Sequence, residues 1–398
     1  MAMNGDRGVA TLSRCLESKN IILAVSGGIA ATESIKLARE LRRHGAHVIP
    51  IMTQSAEKVI SPLALSWGSG LDTITDWDPQ MSQLGNFDGL LLAPATRNTI
   101  SKFVHGILDS PVMMALSAAS GRNTPMMFVP SMHDDLFDDP VTGELLESLE
   151  NMGVSAFYEG SNEGRRKQPD PVTIVANYSH LLNSGMPGRK TVAVTLGANR
   201  APIDSIRYVQ NTSSGETGWS IAEHLHMMGH SVVCIAGYTT AKPRFQLPDI
   251  RHDSTPDGML AISSKLACSS NKPDTWVHAA AILDYIPETI DGKHPSGDGN
   301  WQINLKPSKK HITELTKHVG GSKRIAFKLE VDSVDSLVSR SIDLISENGL
   351  DAVVANLLAE SAGEGGNRCR IVFPNGEVDE IADLSILCES LEALISSD

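Results

Sequence analysis

The chain has 398 residues, 41% hydrophobic and 20% charged, a length that exceeds one ordinary core and suits two domains of roughly 150–200 residues. Its 34 basic and 47 acidic residues leave a net charge of −13, which disfavours nucleic acid and anionic membrane as partners while leaving room for local anion pockets. No apolar run approaches the ~20 residues that cross a bilayer, no signal-peptide pattern opens the chain, and Cys15, Cys234, Cys268, Cys369 and Cys388 form no close pair, so a cytoplasmic protein without a disulfide framework or Cys-rich zinc site is expected.

Residues 1–18 carry no strong pattern and read as a short frayed extension. NIILAVSGG at 20–28 predicts a strand ending in glycines. Residues 29–45 follow as a helix with Ile29, Ile35, Leu37, Ala38 and Leu41 near one stripe and Gly45 as its stop. HVIPIMT at 47–53, GLLLAPAT at 89–96, MMFVP at 126–130 and VSAFYE after a helix at 144–153 continue the alternation of a parallel α/β sheet. Residues 160–171 read as a polar surface flap, and the domain boundary falls near 182–189. The grammar then repeats: strand KTVAVTLGA at 190–198, a helix from Ser214 or Gly215, strand SVVCIAG at 231–237, a helix from TPDG, and TWVHAAAILDY as one strand with an acidic end. RIAFKLE and DAVVANLL flank a helix near 336–347, and a helix over 380–395 closes the chain. Residues 287–311 are rich in Gly, Pro, Lys and His and are expected to cover a substrate. The fold class is α/β: two Rossmann-like domains with parallel sheets, at 19–183 and 189–398.

In open parallel sheets ligands collect at the C-terminal strand ends. In the first half four polar segments converge there: SGGIA at 26–30, MTQSA at 52–56, PATRNT at 94–99 and PSMHDDLF at 130–137. Gly27 and Gly28 permit close backbone approach, and helix-start amides with Thr53 and Ser55 suit a phosphate. These segments, over roughly 20–180, resemble the flavin-dependent cysteine decarboxylases, especially the decarboxylase half of the bifunctional phosphopantothenoylcysteine decarboxylase/phosphopantothenate–cysteine ligases. The resemblance implies a homo-oligomeric flavoprotein fold that binds flavin mononucleotide (FMN) through Gly27, Gly28, Ile29, Thr53, Ser55, Ala95, Thr96, Asn98 and Thr99, with His133 of PSMH touching phosphopantothenoylcysteine. Two departures stand out. Gln80 occupies the place of the family's His-Ile-x-Leu histidine, and histidine can move a proton where glutamine cannot. The flap GSNEGRRKQPD lacks the cysteine that many members carry.

In the second half, ANRAPIDSIRYVQNTSSGETG at 198–218 combines an anion-compatible loop with Asp204, Arg207 and Asn211 before Ser213, Ser214 and Gly215. Arg207 either offers a fork of charge to substrate or pairs with Asp204 as a structural lock. The segment resembles the ligase half of the same bifunctional family, whose pattern reads like TREPIDPVRFISNRSSGKMG, with Glu216 and Thr217 standing where Lys-Met is usual. The resemblance implies that Asn211 holds an activated acyl intermediate and that Asp284 of HAAAILDYIP lies by the ribose or a magnesium ion. Lys293 and Lys306, with Lys309 and Lys310 as alternatives, would neutralise phosphate; Phe327 would pack beside the base and Asn356 face it. Ser213, Ser214, Gly215 and Arg207 complete the expected substrate contacts. Phosphopantothenate, cysteine, and CTP or ATP are the implied substrates, and trimers through the flavin domain, dimers through the ligase domain and a dodecamer are the implied assemblies. Two other readings stay open: an active ligase fused to a flavin domain that has lost or changed its decarboxylation, which Gln80 favours, and a non-catalytic flavin-dependent regulatory or assembly protein. A dehydrogenase is weaker because no dinucleotide fingerprint is present.

Overall fold

The computed structural model describes residues 7–77, 85–297, 299–361 and 367–397. Its contacts divide the chain into two units, Met1–Gly185 and Met186–Asp398.

The first unit alternates β1 (Asn20–Val25), α1 (Ser34–Arg43), β2 (His47–Met52), α2 (Pro62–Ser69), β3 (Gly89–Ala95), α3 (Arg97–Val104), α4 (Pro111–Gly121), β4 (Met126–Pro130), α5 (Pro140–Asn151), β5 (Ser155–Ala156) and α6 (Pro171–Asn183). The sheet runs β2-β1-β3-β4-β5, parallel throughout. All of β3 and all but the first residue of β1 are buried, as central strands covered on both faces require. Local chemistry starts the helices. Ser61, Thr96, Ser110, Asp139 and Asp170 each accept a first-turn N–H, and proline opens α2, α4, α5 and α6.

Several expectations change here. Residues leading into β1 are packed rather than frayed: Leu16 is fully buried, and the Leu12 and Leu16 amides donate to Arg43 and His44 carbonyls at 2.8 and 2.9 Å. Two adjacent apolar anchors, Cys15 and Leu16, are too short a signal for periodicity. Ile29 leaves the α1 stripe because Ile29–Glu33 is a 3-10 turn, and it is 78% exposed. Only Ser155–Ala156 of VSAFYE forms a strand, and part of the flap pairs instead, Arg165–Arg166 lying against Met132–His133.

The second unit is built from β6 (Thr191–Leu196), α7 (Glu216–Met227), β7 (Ser231–Ala236), β8 (Asp249–His252), α8 (Pro256–Ala267), β9 (Thr275–His278), β10 (Lys323–Glu330), α9 (Val334–Asn348), β11 (Ala352–Leu357), β12 (Cys369–Val372), β13 (Val378–Ile381) and α10 (Leu384–Ser396). Its order is β8-β7-β6-β9-β10-β11-β12-β13; only the pairings of β12 are antiparallel. The chain steps outward from β6 to β8 and then returns to β9, so a topological switch point lies between β6 and β9. The expected single strand TWVHAAAILDY is divided. β9 ends at His278, and Tyr285–Pro287 pairs with Leu305–Pro307 as a hairpin arising from the 287–311 segment. Among the described residues no helix is long and apolar enough to cross a membrane.

Candidate functional sites at two sheet edges

In the first unit, Ser26 knots the edge together. It is fully buried; its hydroxyl donates to Pro94 O at 2.7 Å and accepts from Thr96 N at 2.9 Å. The β1 and β3 loops are thereby joined without a ligand. The β2 loop is held as closely: a Cβ on Gly27 would lie 2.5 Å from Ser55 Cβ and Oγ, a separation that side-chain atoms do not tolerate. Thr53 caps the one-turn helix Gln54–Glu57, and its hydroxyl lies 3.0 Å from that of Ser55. Thr96 caps α3, accepting from Thr99 N, with Thr99 buried and Asn98 exposed. Gly28 lies beside Thr96, and Ala95 is buried at the end of β3. Clustered hydroxyls, two helix starts and a cradle that only glycine fills fit the phosphate end of a flavin nucleotide.

His133 is exposed at the same edge and makes no side-chain cap. Asp134 pairs loosely with Arg166 at 3.7 Å and accepts from Ser161. Arg166 also lies over the Phe137 ring at 4.6 Å, so it is packed; Lys167 pairs with Glu163 at 2.6 Å. His105 is exposed, its Nδ1 2.7 Å from Ser101 O. Gln80 lies outside the described residues.

In the second unit the close approach is made by backbone in left-handed conformations. Gly197 and Gly215 have φ of +80° and +82°; a Cβ on either would strike Thr239 Cγ2, at 2.7 and 2.4 Å. A Cβ on Gly218 would meet Leu196 Cβ at 2.4 Å, so α7 starts directly on the end of β6. Ser214 Oγ accepts from Glu216 N at 3.3 Å, leaving the other first-turn amides of α7 without an intrahelical partner. Ser213 is half-buried and its N–H donates to Asn211 O.

Asn211 Nδ2 donates to the carbonyls of Ala281 and Ile282 at 3.2 and 3.1 Å, which ties the loop before α7 to the loop after β9. Asp284 is exposed on that second loop, its carbonyl accepting from Ser308 N, and Lys306 pairs across the hairpin with Ile286. Asn211, Asp284 and Lys306 therefore lie on directly bonded segments at one edge. Register places Phe327 and Asn356 on the face that carries α7, because Ala326, Val353 and Ala355 on the opposite face pack against Leu337 and Ile345 of α9. Asn356 Oδ1 is buried without a partner.

Other expected contacts are occupied elsewhere. Arg207 donates to Asp204 at 2.5 Å and to His294 O at 3.4 Å, so the lock is formed. Burial works against the charge on Asp204, yet the amides of Ile206, Arg207 and His294 together with the Arg207 guanidinium hold its carboxyl well below the usual range. Lys293 is exposed next to this corner, and His294 stacks on Trp301 at 4.1 Å. Lys309 lies 3.6 Å from Asp257, and Lys310 precedes the short helix His311–Leu315. Among the described residues no group of three His, Cys, Asp or Glu side chains forms a metal site. Asp284 belongs to no such group, so a magnesium ion beside it would be carried mainly by substrate phosphates and not by a protein cage.

Sequence reasoning missed Ser26, although it directly precedes the glycine pair. It also missed Asn199, fully buried with Oδ1 unpartnered after LGA, and the 2.7 Å Arg97–Asp139 bridge beside the first edge. An apolar cavity of about 320 Å³ beside α3 and α4, and a polar one of about 400 Å³ at the N-terminal ends of β6, β9 and β10, lie away from both edges.

The flavoprotein family matches residues 9–183, and the DNA/pantothenate metabolism flavoprotein C-terminal domain family matches residues 188–386. The chain is 35% identical over 364 residues to the coenzyme A biosynthesis bifunctional protein CoaBC of Thermococcus kodakarensis, covering 89% of each chain. It is 28% identical over 407 residues to the protein of the same name from Bacillus subtilis, covering 95% of this chain and 96% of that one. The solved DNA/pantothenate metabolism flavoprotein from Streptococcus pneumoniae superposes with a TM-score of 0.46 at 23% identity, covering 52% of this chain and 98% of that one.

Proposed function

The chain belongs to the family of coenzyme A biosynthesis bifunctional proteins, a ligase and a decarboxylase in one polypeptide, and we propose that its two sheet edges divide those activities. The second edge joins phosphopantothenate to cysteine, and the first decarboxylates the phosphopantothenoylcysteine so formed to phosphopantetheine.

At the second edge the acid's carboxylate oxygen attacks the α-phosphorus of CTP or ATP while the bond to pyrophosphate breaks. The cysteine amine then attacks the acyl carbon, the nucleoside monophosphate leaves, and the amine proton passes to solvent. Gly197 and Gly215 let phosphate oxygens approach the free first-turn amides of α7 beside Ser213 and Ser214. Asn211, its Nδ2 donors spent on two carbonyls, keeps an acceptor oxygen that suits the N–H of the attacking cysteine amine. Lys306 would offset charge on the phosphates, Asp284 would help hold a magnesium ion carried by them, and Phe327 with the unpartnered Asn356 would receive the base. Arg207 acts through the Asp204 corner as a positioning residue, with Lys293 next to it on the rim. Positioning and electrostatic stabilisation carry the reaction without a covalent protein nucleophile.

At the first edge Gly27, Gly28, Thr53, Ser55, Ala95, Thr96 and Thr99 would hold the FMN phosphate and ring, with Ile29 and Asn98 exposed toward its open side. Bound FMN supplies the two-electron chemistry at the substrate's cysteinyl carbon–sulfur centre that lets carbon dioxide leave. His133 meets the substrate at the rim. Ile29, exposed in a single chain, suits a site completed by a second subunit, consistent with trimeric flavin domains, dimeric ligase domains and their dodecamer.

The observation that carries the ligase assignment is the Asn211 bridge to Ala281 and Ile282, which gathers the loop before α7 and the Asp284 loop at one sheet edge. Phosphopantothenate, cysteine, Mg²⁺ and either CTP or ATP are supplied to the purified protein and products followed by mass. The expected result is amide formation followed by loss of carbon dioxide. No amide with either nucleotide would remove the ligase reading. Amide that persists with flavin bound would favour a ligase whose flavin domain no longer decarboxylates, the reading that Gln80 favours.

A further inference from the structure

β12 runs antiparallel to β11, with Arg370 opposite Ala355, so the chain enters β12 at the edge where the parallel strands end. Arg368 stands at that entry. It is half-buried, its own amide is held by Ile381 O at 2.8 Å, and its Nη2 donates to Thr217 Oγ1 at 2.9 Å, in the first turn of α7. Thr217 is one of the two residues that stand where the family pattern has Lys-Met.

Several other arginines of the unit meet carboxylates, Arg370 on Glu360 through two bonds of 2.9 Å, Arg244 on Glu223 at 2.6 Å and Arg340 on Glu330 at 2.5 Å, while Arg324 is filled by three neutral oxygens and Arg200 by Gln210 and two tyrosine rings. Among the described residues Arg368 has only the neutral hydroxyl of Thr217. Glu216, in the same turn, is exposed and makes no ion pair with it. A guanidinium at the positive end of a 12-residue helix is electrostatically unfavourable by itself, and most of its five N–H donors remain to be used. An oxyanion between the helix start and the guanidinium relieves both.

We infer that Arg368, held in place by Thr217, is a phosphate-binding residue of the ligation site and supplies the positive charge absent from position 216. The inference rests on the ligase reading and deepens it. The ligand chemistry is a phosphate oxyanion, whether from the nucleoside triphosphate or from the phosphate monoester of the acid.

The test titrates the full-length, flavin-containing protein by calorimetry with CTP and ATP, with the corresponding nucleosides, and separately with phosphopantothenate. Arg368→Ala is expected to weaken one of the two phosphate ligands by at least ~10-fold, as loss of hydrogen bonds to a charged group does, with nucleoside binding unchanged; which ligand weakens identifies the phosphate. Glu216→Lys added to that variant is expected to restore much of the affinity, which a merely structural role of Arg368 would not allow. Wild-type affinity for both ligands in Arg368→Ala overturns the inference while leaving the ligase reading intact. A wild-type protein that binds neither and forms no amide removes the ligase reading itself. Should Arg368→Ala fail to fold, Thr217→Val releases the guanidinium with little change of volume: a several-fold loss of phosphate-ligand affinity supports the inference, and unchanged affinity refutes it.

Discussion

The two sheet edges hold their loops in different ways. In the first unit a buried hydroxyl, Ser26, bonds two loops while Gly27 presses against Ser55 with ordinary backbone angles. In the second, Gly197 and Gly215 take left-handed angles against Thr239, and Asn211 is the tie. Both units keep unpartnered buried polar atoms, the Gln168 amide in the first and Asn199 Oδ1 and Asn356 Oδ1 in the second, so the edges differ in how their loops are tied and not in how fully their polar groups are satisfied.

The sharpest way to break this contrast is Gly215→Ala. Its Cβ would lie 2.4 Å from Thr239 Cγ2 in a backbone of φ +82°, so ligation is expected to fall by roughly 100-fold or more, as displacement of reacting groups by about 1 Å does. Flavin content, read from absorbance, is expected to stay at wild type. Gly27→Ala is the mirror case: overpacking against Ser55 should weaken flavin retention by about 10–100-fold, with ligation rates unchanged. If either variant damaged the other unit's activity, the division between the edges would fail.

These outcomes bear on what a sequence can reveal. β1, β3, β6 and β11 were legible because buried parallel strands are continuous apolar runs, whereas the sequence left Arg207 open between a substrate contact and the lock with Asp204 that the fold forms. Asn211 could be singled out, but not its bonds to Ala281 and Ile282, which lie 70 and 71 residues away in sequence. Arg368 was invisible for the same reason: its meaning comes from Thr217, 151 residues distant. The packed segment before β1 was missed because its anchors, Cys15 and Leu16, are too few to show a period. The end of β9 at His278 was missed because the apolar AAAIL that follows reads like more strand.

Acid should separate the units further. Burial, with Arg324 and His311 nearby, pushes the buried His278 down to about 3. Unfolding releases it to an ordinary value near ~6.5, so below that pH the unfolded chain binds a proton that the folded one refuses. Stability from this site is complete above ~6.5 and declines as pH falls from there toward about 3. His278→Gln is expected to flatten that slope in the second unit's melting temperature; an identical slope would show that other groups govern it. The smallest effect is reserved for Ser26→Ala, which leaves Pro94 O and Thr96 N without their shared partner and should cost about 1–3 kcal/mol. Urea unfolding followed by flavin fluorescence reads it, and an unchanged midpoint would mean that the hydroxyl does not hold the loops.

The central claim is that one chain performs two consecutive reactions at separate edges. Its most direct test is a product-mass comparison of Asn211→Asp and Gly27→Ala in a single mixture of phosphopantothenate, cysteine, nucleotide and Mg²⁺. Asn211→Asp, which turns a donor toward Ala281 and Ile282 carbonyls into a carboxylate, should leave phosphopantothenate unligated yet still decarboxylate added phosphopantothenoylcysteine. Gly27→Ala should accumulate phosphopantothenoylcysteine. Full conversion to phosphopantetheine by both variants, or loss of both reactions in each, would contradict the account.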